Sequence, residues 1–204
     1  MIIALIAGAS GSGKSRLARS TGWPVLRLDD FYRAESAPDM PRGANGQIDW
    51  DDPAAWDATA AADAMTTLLH DGVVTAPVYS IADNAPVGQH IVDATGAPAF
   101  VAEGIFATQM LAVCQTRDLP VVAIWLDRGR FITWWRRLQR DVRQHRKPLG
   151  VLWRRGIALC QAEPGLRRAA VAAGFTPMTM RRARATLAVL SDSPPLEGWQ
   201  PPRG

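Results

Sequence analysis

Eight residues carry the densest chemistry in the chain: Gly8-Ala9-Ser10-Gly11-Ser12-Gly13-Lys14-Ser15. They fit G-x-x-x-x-G-K-[ST], the phosphate-binding P-loop. A triphosphate needs several N–H donors at close range, and glycines let backbone approach it without a Cβ clash. A helix starting at the end of the loop adds N–H groups and a positive dipole end. Gly8, Gly11, Ser12, Gly13, Lys14, Ser15 and Arg16 are therefore the candidate nucleotide-binding residues. Within them, Lys14 should reach the β and γ phosphates, and the Ser15 hydroxyl should ligate Mg²⁺. The bland alternative is a chance match in a Gly-rich chain. The apolar run Ile2–Ala7 before the loop and the helix-like Ser15–Arg19 after it argue against chance.

Carboxylates form the second group. The short apolar stretch Val25–Leu28 ends in Asp29-Asp30-Phe31-Tyr32. In open α/β sheets ligands sit beyond the carboxyl ends of the strands, so an acid there is placed for chemistry. A loop acid that only turns the chain fits that position equally well. Asp49, Asp51 and Asp52 lie close together before Pro53. Asp52 reads as an N-cap with Pro at the first helical position, leaving Asp49 and Asp51 to face a site. Ala99–Ala102 reads as a core strand ending in Glu103-Gly104, a strand-end carboxylate of the kind that meets Mg²⁺ in P-loop proteins.

These residues need a scaffold, and the pattern predicts one. Apolar strands alternate with helical stretches, so the class is α/β, a parallel sheet with helices on both faces. Ile2–Ala7 is a buried strand, Ala54–His70 a helix closed by Asp71-Gly72, and Val121–Leu126 a further core strand. Val73–Tyr79 pairs with the region of Ile91-Val92 as a hairpin, at an edge because of Pro77. Phe131, Trp135, Leu138 and Val142 share one helical face, and Arg136, Arg140, Arg143 and Lys147 another. The region after Val151 reads as helical and Arg-rich, with no recognisable strand. The expected organisation is one domain over 1–192, with a lid region at about 128–165 and an irregular tail over 193–204.

Composition bounds the remainder. The net charge is +4, and Lys14 and Lys147 are the only lysines, so the basic character is arginine. No recognition motif supports nucleic-acid binding. No apolar run is long enough for a membrane span. Two cysteines form neither a disulfide framework nor a metal-type pair. With no signal peptide visible, the expected setting is a reduced cytoplasm.

Taken together the motifs resemble uridine–cytidine kinases, in the phosphoribulokinase/uridine kinase group of P-loop kinases. The matching pieces occur in the family's order: Gly8–Ser15, Leu28–Arg33, Ile48–Asp57, Pro77–Tyr79, Ala102–Phe106 and Leu126–Asp141. The resemblance implies that Asp29 takes the proton from a sugar 5′-hydroxyl and that Asp51 binds ribose hydroxyls. It implies that Tyr79 packs near the base, with Tyr32 beside the same acceptor site, and that Glu103 serves the metal. Arg137 and Arg140 would be lid residues on the phosphates. Asn84 stands where the family has a base-contacting His, and His145-Arg146-Lys147 where it has a second Arg pair.

The expectation is an ATP- and Mg²⁺-dependent phosphotransferase acting on a small-molecule alcohol, foremost a nucleoside such as uridine or cytidine. A related kinase for pantothenate or a sugar phosphate stays open. So does a non-kinase nucleotide-binding module, although Asp93–Gly96 closes no long core strand and the chain has no Asn-Lys-x-Asp for guanine. Self-association as a homo-oligomer is left open.

Overall fold

The computed structural model describes residues 1–127 and 164–191. At its centre lies β1 (Ile2–Ala7), buried along its whole length. It is flanked by β5 (Ala99–Glu103) on one side and β6 (Val121–Leu126) on the other. β2 (Val25–Arg27) pairs outside β5, and β7 (Thr176–Met178) outside β6. The order β2-β5-β1-β6-β7 is parallel throughout.

Strand alternation sends successive β1 side chains to opposite faces. Ile3, Leu5 and Ala7 pack in one core with α2 (Ala58–Asp71) and α3 (Ala107–Thr116). Ile2, Ala4 and Ile6 pack in the other with Leu17 and Ala18 of α1 (Lys14–Thr21) and with Ala183 and Leu187 of α4 (Met180–Ser191). A sheet covered on both faces has no polar side, which is why β1 and β5 read as unbroken apolar runs. Each fully buried Ile, Leu or Phe there contributes about 1.5–3 kcal/mol. Residues 164–172 are also helical. Among the described residues no helix is long and apolar enough to cross a membrane.

Away from the sheet, β3 (Val73–Ser80) and β4 (Ala85–Asp93) form an antiparallel pair, as the pattern predicts. Pro77 sits opposite Gln89 and is tolerated because a two-stranded ribbon consists only of edges.

Two expectations need correction. The helix begins at Ala58, not Ala54. Asp52 does cap, accepting from the Ala54 N–H at 2.8 Å, but what it caps is a 3₁₀ turn, Pro53–Ala55. The helix has its own cap in Asp57, whose Oδ1 accepts from the Ala60 N–H at 2.9 Å. Gly72 ends it in the left-handed region at φ 76°, as read from the sequence. The second correction is β7. A three-residue strand containing Pro177 leaves no periodicity to detect. It exists because Thr176–Met178 align with Ile124–Leu126 of β6. Pro177, which lacks an N–H, survives at the outer position of the sheet. The expected lid, the aromatic and arginine faces over 131–147 and the tail over 193–204 lie outside the described residues.

The two caps can be told apart. Asp57→Ala should lower stability by about 1 kcal/mol, the usual loss for a helix N-cap, and Asp52→Ala by distinctly less. Thermal or urea unfolding of both variants checks this. Equal losses would mean that the helix extends back to Ala54.

Candidate functional site

The loop between β1 and α1 has the backbone its glycines require. Gly11 and Gly13 lie at φ 88° and 101°, in the region that disfavours side chains. A Cβ on Gly8 would stand 2.9 Å from Ser12 Oγ and 3.0 Å from the Leu126 carbonyl. α1 opens at Lys14 with no side-chain cap and no acidic residue of its own in its first turn. The Lys14 ammonium folds back over the loop and donates to the Gly8 carbonyl at 2.9 Å.

Sheet pairing brings the acids to this loop. Glu103, the last residue of β5, sits opposite Ile6 of β1 and Arg27 of β2. Its buried carboxylate accepts a 2.8 Å hydrogen bond from Ser15 Oγ. Two residues later the Ile105 N–H donates to Asp29 Oδ1, also at 2.8 Å. Asp29 lies in a 3₁₀ turn, Leu28–Phe31, that continues β2. The Trp56 indole N–H holds the start of this turn through the Leu28 carbonyl at 2.7 Å. Gly104 allows the close fit, since a Cβ there would be 2.7 Å from Asp29 Oδ1. Asp30 points elsewhere and is buried. Burial pushes its carboxyl up, partly opposed by Arg27 and the Tyr79 N–H.

Beyond Asp29 stands an aromatic wall. Tyr32 lies 5.5 Å from Tyr79, 5.8 Å from Trp50 and 5.6 Å from Phe106, centroid to centroid. The Tyr32 hydroxyl donates to the Trp50 carbonyl at 2.9 Å. The Tyr79 hydroxyl is buried and has no hydrogen-bond partner among the described residues. Burial pushes the Tyr32 phenol up, and the charges of Asp29 and Asp51 add to the shift. Next to Trp50 opens a cavity of about 410 Å³ lined by Glu35, Arg42, Gln47, Asp49 and Asp51 among others. Asn84 occupies the hairpin tip at φ 49°, and its amide donates to Glu35 Oε2 at 2.8 Å. The Asn84 carbonyl in turn accepts from the Glu35 N–H at 2.8 Å. Trp50, Phe106 and Glu35 were not anticipated. Trp50 had a signal, an aromatic enclosed by Asp49 and Asp51. Glu35 had none.

The family model described as Phosphoribulokinase / Uridine kinase family matches residues 2–148. The chain belongs to that family. It is 31% identical over 144 residues to the uridine kinase of Saccharomyces cerevisiae, covering 67% of this chain and 28% of that one. It is 30% identical over 155 residues to the uridine kinase of Deinococcus deserti, covering 72% of each. The chain thus spans under a third of the yeast relative's length. A solved structure from Silicibacter sp. TM1040, named for a fructose transport system kinase, shares the fold at a TM-score of 0.60. It covers 88% of both chains at 20% identity.

Of the site residues read from the sequence of this family member, the sheet groups Lys14, Ser15 and Glu103 at the loop. It groups Asp29, Tyr32, Asp51 and Tyr79 at the wall. Arg137 and Arg140 lie outside the described residues. The groups of three or more His, Cys, Asp or Glu that hold metals elsewhere do not occur among the described residues. A Mg²⁺ that keeps several waters needs only one or two protein oxygens, and Ser15 with Glu103 is such a pair.

The chain has two tyrosines, and burial raises both phenols. Tyr79 is pushed up to about 12, and Tyr32, facing Asp29 and Asp51, rises as well. The folded protein should therefore show no phenolate absorbance near pH 10, where the urea-unfolded chain titrates. Above that pH the native state holds protons that the unfolded state has lost. Stability should then fall as pH rises from about 10 towards 12 and be indifferent to these groups below. Phenolate release near pH 10 in the folded state would place Tyr79 in water.

Proposed function

We propose that this protein transfers the γ-phosphoryl group of ATP to the 5′-hydroxyl of a nucleoside, uridine or cytidine first. The observation that carries the reading is the Glu103-Gly104-Ile105 segment. One end is bonded to the P-loop Ser15 and the other to Asp29. A phosphate-binding loop and a strand-end carboxylate are thereby held at a set separation, which is what a donor and an acceptor hydroxyl require.

In this reading Gly8–Arg16 hold the triphosphate, and Lys14 leaves the Gly8 carbonyl to meet the β and γ phosphates. Ser15 and Glu103 would hold Mg²⁺, which neutralises phosphate charge. Asp29 orients the acceptor hydroxyl and accepts its proton at a carboxylate oxygen, while Ile105 N–H keeps that carboxylate in place. Asp51 takes the ribose diol, and the ring wall of Tyr32, Trp50 and Tyr79 lies against the base. Arg137 and Arg140 stabilise charge on the transferred group. ATP-dependent phosphorylation of uridine and cytidine, read as a product mass shift, is the direct test. No product from either nucleoside removes the reading.

Asp29→Asn keeps the shape and loses the base. Its kcat should fall by about a hundredfold or more, as for other general bases, while ATP still binds. Lys14→Ala should also lose turnover by orders of magnitude with the fold intact. A nearly active Lys14→Ala would take the loop out of the mechanism.

If Asp51 holds the ribose diol, 2′-deoxynucleosides should be poorer substrates by roughly tenfold to a hundredfold, the loss of one hydrogen bond to a charged group. Asp51→Ala should erase most of that preference and spare ATP affinity. Comparing ribo- and deoxyribonucleosides on both proteins checks it. An unchanged preference would reduce Asp51 to a turn residue.

A further inference from the structure

We infer that Asp30, the neighbour of the candidate base, is a positioning residue: it pins the β3–β4 hairpin, and with it Tyr79, against the turn that carries Asp29. What the hairpin positions rests on the nucleoside-kinase reading; the pin itself does not.

Asp29 and Asp30 are consecutive residues of one 3₁₀ turn, and their carboxylates diverge. Asp29 takes the Ile105 N–H, on the sheet side. Asp30 Oδ1 takes the Tyr79 N–H of β3 at 3.5 Å. The same oxygen meets the Arg27 guanidinium at 3.6 Å. From β4, His90 acts electrostatically on the Asp30 carboxyl. The His90 Nδ1 is buried with no hydrogen-bond partner among the described residues. The Asp30 side chain is 3% exposed, whereas Arg27 is 58% exposed. A buried carboxylate with only long contacts is a poor filler, since an apolar side chain of similar size usually serves packing as well or better. What the carboxylate provides is a link from its turn to two strands. β2 contributes Arg27 and β3 the Tyr79 N–H, while His90 of β4 acts on it only electrostatically.

The turn is thus a bracket with two arms. One sets where the reacting hydroxyl's base stands, and the other sets where the aromatic wall stands. Weakening the second arm should loosen the acceptor's seat and leave the donor site and the base in place. It should therefore act on the acceptor KM and spare kcat and the ATP KM.

The test uses the full chain with Asp30→Asn, Asp30→Ala and Arg27→Gln. Hydrogen–deuterium exchange of the hairpin is the readout that does not depend on activity. In Asp30→Ala the segment containing Tyr79 should exchange about threefold faster or more, as expected for one lost long hydrogen bond, with β1 and the P-loop unchanged. Asp30→Asn should fall between. The uridine KM should rise about tenfold in Asp30→Ala, with ATP KM and kcat within about twofold. Should Asp30→Ala fail to fold, Arg27→Gln changes only a largely exposed side chain and should move exchange and KM the same way by less. Equal acceleration of all segments, or unchanged hairpin exchange in the folded variants, overturns the pin. Failure of the wild type to phosphorylate any nucleoside counts against the proposed function, and the exchange pattern still decides the pin.

Discussion

The geometry of this molecule turns on a three-residue bridge, Glu103-Gly104-Ile105. A buried carboxylate at its head is bonded to Ser15, and an amide at its foot is bonded to Asp29. Glu103 is fixed by strand pairing on both sides, to Ile6 and to Arg27. The separation between the P-loop and Asp29 is therefore a property of the sheet. Gly104 is the condition for it, because any larger residue collides with Asp29 and Leu28.

The two sides of the bridge are built differently. The donor side is backbone: glycines at positive φ and an uncapped helix start. Backbone N–H groups bind phosphate whatever its carrier, so this half suits many P-loop proteins. The side proposed for the acceptor is side chains, drawn from the turn after β2, the segment around Trp50, the hairpin and the start of α3. The rings of Trp50, Tyr79 and Phe106, one from each of the other three, meet at Tyr32. Under the proposed function selectivity would belong here, because a wall assembled from separate loops changes shape when any one of them moves. The reciprocal Glu35–Asn84 bonds and the Asp30 contacts tie those loops together.

The sheet does more than display loops. Because all its strands run parallel, the carboxyl ends of β1, β5 and β2 fall at one edge. The P-loop, Glu103 and Asp29 are the residues that leave those three ends. Two cores, one on each face, bury β1 completely and leave it no freedom to shift register.

Much of this was legible in one dimension. Ile2–Ala7, Ala99–Glu103 and Val121–Leu126 are apolar runs because both their faces are covered, so their burial is written in composition. The P-loop is legible because phosphate binding forces residue types at fixed spacing. Glu103 was picked out by its place at a strand end, and the pairs Asp29-Asp30 and Asp49/Asp51 by theirs after a strand and before a Pro-containing turn; only the family resemblance singled out Asp29 and Asp51. Other features depended on which partner a residue met. Asp52 and Asp57 are equally good caps on paper, and burial of Ala61, Met65 and Leu68 against the core selected the helix that starts after Asp57. Thr176–Met178 is a strand only because β6 lies beside it. Asp29 and Asp30 are identical in type and adjacent. Folding sent one carboxylate to the Ile105 N–H and buried the other under the hairpin, because a 3₁₀ turn points consecutive side chains in different directions. Local chemistry is a matter of residue type and spacing, which a sequence carries in full. Direction and partnership arise only when distant segments close on each other, and these the tertiary structure decided.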